Sequence, residues 1–542
     1  MIGPSEAHSG RVLPVMRLVS PVPAFDAPIL RLARWMQERY VAPLATVLGA
    51  ITPPRVAGEE TAMPGPAPAR PERIPAAAGP LATYHGGPDG LSAIARGDAA
   101  FTIRPAPEDE QAVAVDAVAA CVSAGRRAIV LVPEAVPVPA TVTAIEEAFG
   151  DRVCRFLGGS ARERYRRWLE IRAGHYDVVV GTRPAVFAPM GELGLVYVAR
   201  ESHGAHREDR APYYHVREVA LRRAVLGRAT CVLAAACPTG EATALHLPVV
   251  APARRSWPVV EVVRPGSEGR APRLVRSLRE ARRAFIYAPV PGYGVAQVCR
   301  SCGAPAACAA CGGMLREEGG RVRCVVCDAE GVCANCGGRT FGIRRGGAER
   351  VEEWASRVTT VPVVRPARAR LPKRSGEVVI GGADSVRDLG PGGLDLVAVL
   401  DADAAARRPG LAARERSLAI WMEAVGWARP AGRAIVQSSH PGDPAVQALV
   451  RGNPDRFLER EAERRAAAGF PVGAPTFRVV GSDALAAAVA RHDPITTLVS
   501  ARDGRTVCLV VLSPDAVPGF GIEMRRLASE GVVERVEAEP HL

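Results

Sequence analysis

Eight cysteines stand between residues 299 and 336 as four Cys-x-x-Cys pairs: Cys299/Cys302, Cys308/Cys311, Cys324/Cys327 and Cys333/Cys336. A Cys-x-x-Cys turn aims two thiolates at one point in space. Two such turns complete the tetrahedral S₄ shell of a closed structural zinc site. Four turns therefore predict two zinc ions per chain. A disulfide cluster is the alternative, and the spacing rules for cysteine favour metal. Gly303, Gly312 and Gly337 directly follow the second cysteine of a pair, where a metal knuckle turns tightly. Spacing alone does not decide whether neighbouring pairs combine, or the outer two and the inner two. The other five cysteines (Cys121, Cys154, Cys231, Cys237, Cys508) are scattered and read as small buried apolar residues.

The surrounding chain has to position this array. Its 542 residues suffice for roughly three or four domains with their own cores. No run of about 18 apolar residues without charge exists, so no membrane helix is expected. The first residues, MIGPSEAHSGRVLPV, lack a basic segment followed by an apolar core and do not read as a signal peptide. A cytoplasmic, nucleoid-associated location is the expectation, and reduced thiols there favour zinc over disulfides. The formal charge of +12 suits a polyanionic partner such as nucleic acid.

Along the chain, residues 1–55 hold two short β-like stretches (Val12–Val19) and an amphipathic helix over Pro28–Val41. Residues 56–82 are rich in Pro and Ala without periodicity and read as a semi-rigid linker. From 83 to 250, short apolar runs (Ala128–Val132, Asp177–Val180, Leu195–Val198, Arg228–Ala235) alternate with helical stretches such as Gln111–Ala124 and Ala161–Ala173. That alternation predicts a parallel sheet covered on both faces. A second such lobe spans 276–450, and the cysteine array interrupts it as an insertion at 296–342. Residues 454–542 read as a charged helix followed by a small α+β domain. The predicted class is α/β: two parallel-sheet lobes with the double zinc ribbon in the second.

Specific strings carry a family resemblance. Trp35-Met36-x-x-x-Tyr40 with Pro43-Leu44 and Pro53-Pro54, Leu131-Val132-Pro133-Glu134, and Gly158-Gly159-Ser160 with Glu163-Arg164-Tyr165 and Trp168 are three of them. The run Val179–Pro189 (VVGTRPAVFAP), Cys299-Arg300-Ser301-Cys302-Gly303, Glu349–Glu353 and Leu400-Asp401-Ala402-Asp403 are the others. Over most of residues 12–475 the chain resembles the primosomal protein N′ (PriA) family of superfamily 2 helicase-like proteins, in its actinobacterial form with degenerate helicase motifs. The resemblance implies two RecA-like lobes and a truncated N-terminal β/α domain that binds DNA 3′ ends. It also implies one zinc on Cys299, Cys302, Cys333 and Cys336, and a second on Cys308, Cys311, Cys324 and Cys327. The implied partners are forked, branched or single-stranded DNA and the proteins of the primosome, with no membrane.

The phosphate-handling residues of such an ATPase do not match. A P-loop needs backbone amides and a lysine around the phosphates, yet the corresponding segment, Phe101–Glu110, has no glycine and no lysine. Lys373 is the sole lysine of the chain and lies far from any Gly-rich loop. The family's acidic box reads Ala199-Arg200-Glu201-Ser202-His203, without its first carboxylate for Mg²⁺. Glu201 and His203 read as a solvated loop. The later boxes read Ala234–Pro238, Ala288–Tyr293, Arg387-Asp388-Leu389 and Val425–Pro430, with Arg429 as a surface arginine. The expectation is a replication-restart protein that holds DNA and recruits partners without helicase activity. The alternative is an active ATP-dependent 3′→5′ helicase. No catalytic, nucleotide-binding or DNA-contacting residue is assigned. A heat-shock-type zinc chaperone is a poor fit, because Leu315 and Thr340 break its second glycine position.

Overall fold

A computed structural model describes residues 16–62, 65, 79–254, 256–266, 270–289, 296–302, 304, 306–311, 315–318, 321–324, 327–344, 348–403, 410–502 and 504–540. The first lobe contains β1 (Tyr84–His85), β2 (Ala100–Ile103), β3 (Arg127–Leu131), β4 (Val153–Phe156), β5 (Val178–Gly181), β6 (Leu193–Ala199), β7 (Thr230–Ala234) and β8 (Val249–Pro252). Their spatial order is β1-β8-β2-β7-β6-β3-β5-β4, parallel throughout except for the antiparallel β1–β8 pair. The central strands are runs of Val, Ile and Leu buried on both faces, as a sheet covered by helices on each side requires. The helix Ala161–Ala173 starts with a reciprocal capping box. Glu163 N donates to Ser160 Oγ (3.2 Å) and Ser160 N donates to Glu163 Oε2 (2.7 Å). It stops at Gly174, whose φ of +85° suits only a residue without Cβ.

The second lobe opens with β9 (Val259–Val263) and β10 (Arg283–Tyr287). The cysteine segment follows with β11 (Ala296–Cys299), β12 (Leu315–Glu318), β13 (Arg321–Cys324) and β14 (Phe341–Arg344). The lobe then resumes with β15 (Val363–Val364), β16 (Glu377–Gly381), β17 (Leu394–Val399) and β18 (Ala428–Gln437). Its sheet runs β15-β16-β10-β17-β18-β9, all parallel. This sheet reaches back before residue 276, the expected start of the lobe. Val259–Val263 is a β-branched edge strand whose Glu261 pairs with Arg273 (2.7 Å) and Arg433 (2.5 Å). The C-terminal unit is an antiparallel sheet of β19 (Thr476–Gly481), β20 (Thr496–Arg502), β21 (Arg505–Val511) and β22 (Val533–Ala538), in the order β20-β21-β19-β22.

The N-terminal segment differs from the expectation. Residues 16–20 form no strand and residues 1–15 lie outside the described ones, so the β-like reading of Val12–Val19 falls mostly on the latter. Residues 27–61 hold three helices, Ala27–Arg39, Leu44–Ile51 and Ala57–Thr61. The first packs Ile29, Leu32, Ala33 and Met36 into one core with the first lobe and with Phe477 and Phe520 of the C-terminal unit. Arg39 ties all three together through Glu218 (3.0 Å) and Glu539 (2.8 Å).

The stretch read as linker also begins as structure. Glu60, in the helix Ala57–Thr61, is buried and accepts hydrogen bonds from Arg55, Tyr165 and Ser20. Composition hid this turn because its anchor is a carboxylate rather than an apolar residue. Residues 63–64 and 66–78 lie outside the described residues.

Candidate metal centres and the cleft between the lobes

The cysteine segment brings the eight sulfurs into two sets. Cys299, Cys302, Cys333 and Cys336 form one and Cys308, Cys311, Cys324 and Cys327 the other, with the sulfurs of each set within 4.8 Å of one another. The outer pairs meet and the inner pairs meet, because β11 pairs with β14 while β12 and β13 form a hairpin between them. Sγ–Sγ separations are 3.5 Å for Cys299–Cys336 and 3.8 Å for Cys302–Cys333. They are 3.7 Å for Cys308–Cys327 and 3.4 Å for Cys311–Cys324. A tetrahedral S₄ shell with Zn–S bonds of about 2.3 Å needs sulfurs about 3.8 Å apart. None of these cysteines is in a disulfide.

The knuckles are held by backbone bonds. Gly337 N donates to Cys333 O (2.8 Å), Asp328 N to Cys324 O (3.0 Å) and Cys333 N to Gly338 O (2.9 Å). A Cβ at Gly338 would stand 3.0 Å from Cys299 Sγ and 3.3 Å from Cys336 Sγ, so a side chain there would press on the sulfur set. Each set has two buried and two exposed cysteines. Among the described residues the segment's apolar cluster is Ala306, Leu315 and two of the cysteines, flanked by Val322, Ala329 and Phe341. Both sets fit a metal ion. Cys121, Cys154, Cys231, Cys237 and Cys508 are all buried, and burial pushes the Cys121 and Cys154 thiols up to about 12.

The second feature lies between the lobes. The loop 104–109 leaves the carboxyl end of β2 and enters the helix Glu110–Ser123, at the edge where open α/β sheets take ligands. Arg200, just after β6, is buried there. Its guanidinium grips Glu110 with two bonds (2.7 and 2.8 Å) and reaches Glu423 of the second lobe at 3.3 Å. Burial raises the Glu110 carboxyl and the adjacent Arg200 opposes that rise.

A few residues away, Asp388 of the second lobe accepts from Thr141 N (2.9 Å) and Gln111 Nε2 (2.9 Å) of the first. Arg387 pairs with Glu134. His203 Nδ1 accepts from Ala205 N (3.1 Å), and its Nε2 lies 3.2 Å from Glu134 and 3.0 Å from Arg387 Nη1. Farther along, Gly240 N donates to Glu415 (3.1 Å) and Arg465 pairs with Glu241 (3.0 Å). Burial and the neighbouring Glu241 raise Glu415 to about 7, against the pull of Arg465.

A probable replication restart protein PriA of Mycobacterium tuberculosis is 30% identical over 532 residues, covering 89% of this chain and 79% of that protein. The same identity and coverage hold for the Mycobacterium bovis protein of that name. The replication restart protein PriA of Treponema pallidum is 26% identical, covering 86% of this chain and 78% of its own. The chain belongs to the PriA replication restart family. No protein-family model matches the chain. Among solved structures, the Escherichia coli helicase HrpB aligns with 66% of this chain and 42% of its own at 14% identity, with a TM-score of 0.37, a likeness too slight to argue from.

PriA membership gives the cleft residues their context. The segment 101–110 forms β2, the loop and the entry to its helix; Ala199 ends β6; Arg387 and Asp388 face the first lobe. Glu201 is not on a solvated loop. It is fully buried, accepting from Arg217 Nη1 (2.7 Å), Thr239 N (3.0 Å) and Thr239 Oγ1 (2.8 Å), and so joins the ends of β6 and β7. His203 is half-buried between Glu134 of the first lobe (3.2 Å) and Arg387 of the second (3.0 Å). Arg429 is exposed and pairs with Asp395 at 2.9 Å. Sequence reasoning did not single out Arg200, Glu134 or Glu423. Arginine in place of an acidic-box residue was the available signal, but its two partners stand 90 and 223 positions away. Among the described residues no helix is long and apolar enough to cross a membrane.

Proposed function

We propose that this chain is a replication-restart primosome protein that binds forked, branched or single-stranded DNA and recruits partner proteins without working as a helicase. The observation that carries the reading is the crevice after β2. A site for ATP needs backbone amides, a lysine and a Mg²⁺ carboxylate facing the phosphates. Here the loop is Arg104-Pro-Ala-Pro-Glu-Asp109, and a glutamate–arginine pair stands behind it. Loss of all the phosphate-contacting groups together leaves no route to useful turnover, since each is worth orders of magnitude in rate.

The net charge of +12 and an almost lysine-free basic set suit sustained phosphate contact, because arginine binds two oxygens through one planar fork. The family relation supports the replication context, and with it a cytoplasmic, nucleoid-associated place of action. In this reading each cysteine set binds one zinc: Cys299, Cys302, Cys333 and Cys336 the first, and Cys308, Cys311, Cys324 and Cys327 the second. The zinc-held insertion is a rigid docking surface for DNA or a partner.

The test is ATP hydrolysis by zinc-loaded protein with and without forked DNA, alongside fork binding in the same sample. Binding without turnover, weakening steeply with salt, is expected. DNA-stimulated turnover that persists through further purification would restore the helicase reading. Absence of fork binding would remove the scaffold.

A further inference from the structure

We propose that the two lobes are locked together by the chain's own side chains, which fill the crevice where an α/β pair of this kind would otherwise close on a ligand. The contacts recur along the interface, on either side of a pocket of about 150 Å³ lined by His203, Thr239, Glu415 and Arg416. Arg200 of the first lobe bridges Glu110 to Glu423 of the second. Asp388 of the second holds Thr141 N and Gln111 of the first. Arg387 pairs with Glu134, and Gly240 N with Glu415. Arg104, at the end of β2, pairs with Asp455 in the helix that follows the second lobe.

The backbone approach is as close as the charges imply. A Cβ built on Gly426 would stand 3.0 Å from Pro107 Cβ, and one on Gly390 3.3 Å from Ala140 Cβ. Both contacts cross between lobes. The space left among Pro107, Glu110, Arg200, Glu423 and Trp427 is a cavity of about 30 Å³. That is room for a water or two, whereas pockets that hold a nucleotide-sized ligand run to roughly 300–1,000 Å³.

A ligand that closes two lobes does so by bonding to both. Here Arg200 makes those bonds as a covalent part of the first lobe, so closure needs no ligand and is permanent. Part of this pairing exists only in the closed arrangement: opening would leave Glu423 without Arg200 and Asp388 without either donor, while Glu110 stays paired with Arg200 inside the first lobe. This goes beyond the absence of ATP turnover, because an inactive ATPase could still open and close on nucleotide. It is also independent of DNA binding.

Crosslinking tests it on the full, zinc-loaded chain without DNA. Pro107→Cys with Gly426→Cys sets two Cβ atoms 3.0 Å apart, so a shift of about half an ångström brings them into the range of about 3.5–4.5 Å that a disulfide spans. Gly426 has φ of −58°, which any residue adopts. The disulfide, mapped by peptide mass, should form readily in the absence of nucleotide. Adding Mg·ATP or Mg·ADP should change its rate by less than about twofold, since a ligand without differential affinity shifts nothing.

Adding Glu423→Lys to this pair sets a second cation beside Arg200. It should slow crosslinking about tenfold or more, as a population shifts toward open lobes, and expose the loop 104–109 to protease. Should the charge reversal not fold, Glu423→Gln keeps the shape and should slow the reaction in the same direction. Crosslinking that waits for nucleotide, or fails in a folded zinc-loaded protein, would overturn the lock. An unchanged rate in the Glu423 variants would overturn the ion pairs as its cause. Loss of fork binding alone would touch only the scaffold reading.

Discussion

The cysteine insertion and the interlobe cleft are both places where separate pieces of chain must be held at one point, and they solve the problem oppositely. Among its described residues the insertion has only a small apolar cluster, and it gathers eight sulfurs into two sets that could each hold a metal ion. The cleft has large cores on either side, and the chain itself supplies both the cations and the carboxylates that join them. On the proposed reading, one region takes its order from a bound metal ion. The other has replaced a ligand with covalently attached charge. A small segment cannot bury enough surface to order itself, whereas two lobes of over a hundred residues each can afford the desolvation of an arginine between them.

The strongest way to break this contrast is to remove the metal. A chelator should unfold residues 296–344 and leave the lobes intact, because binding of structural zinc supplies about 10 kcal/mol or more of a small module's folding energy. Cys299→Ser and Cys308→Ser should each cost one ion of the two, read by metal analysis, and the loss of one should leave the other set bound.

Next in size, Asp388→Ala should cost about 2–3 kcal/mol in urea unfolding, since it strands the buried Thr141 N–H and the Gln111 amide at the interface. A loss below about 0.5 kcal/mol would mean that the lobes do not meet there.

Acid sharpens the comparison from within the first lobe. His206 is fully buried beside the cleft strand, its Nε2 donating to Ala199 O at 2.8 Å, and burial lowers its ring to about 3 from 6.5. In that window the unfolded chain binds a proton that the folded chain refuses. The stability is complete above pH 6.5 and is lost as pH falls towards 3. Between about pH 7 and about pH 5 the loss should be about 2 kcal/mol. His206→Gln should flatten that slope.

The smallest effect belongs to an exposed pair. Arg505–Glu534 at 2.7 Å joins two solvent-facing side chains, and Arg505→Ala should change stability by less than about 0.5 kcal/mol.

Much of this fold was legible in local pattern. The strands of both lobes follow short β-branched runs, and the helix Ala161–Ala173 follows its capping box and terminal glycine, because such signals act within a few residues. The small turn at Ala57–Thr61, the edge strand Val259–Val263 and the burial of Glu201 were not legible. Each depends on a partner far along the chain: Tyr165 for Glu60, Arg433 for Glu261, Arg217 and Thr239 for Glu201.

By itself the sequence determined that eight thiolates come in four chelating turns and that two parallel lobes surround them. Both follow from periodicity and spacing along a few residues of chain. Spacing left open which turns share a centre; the family resemblance implied outer with outer and inner with inner, and the tertiary structure gives the physical reason, β11 meeting β14 around the β12–β13 hairpin. Only the tertiary structure decided that Arg200 stands between Glu110 and Glu423, because a buried charge finds its partner through the packing of two lobes and leaves no local trace.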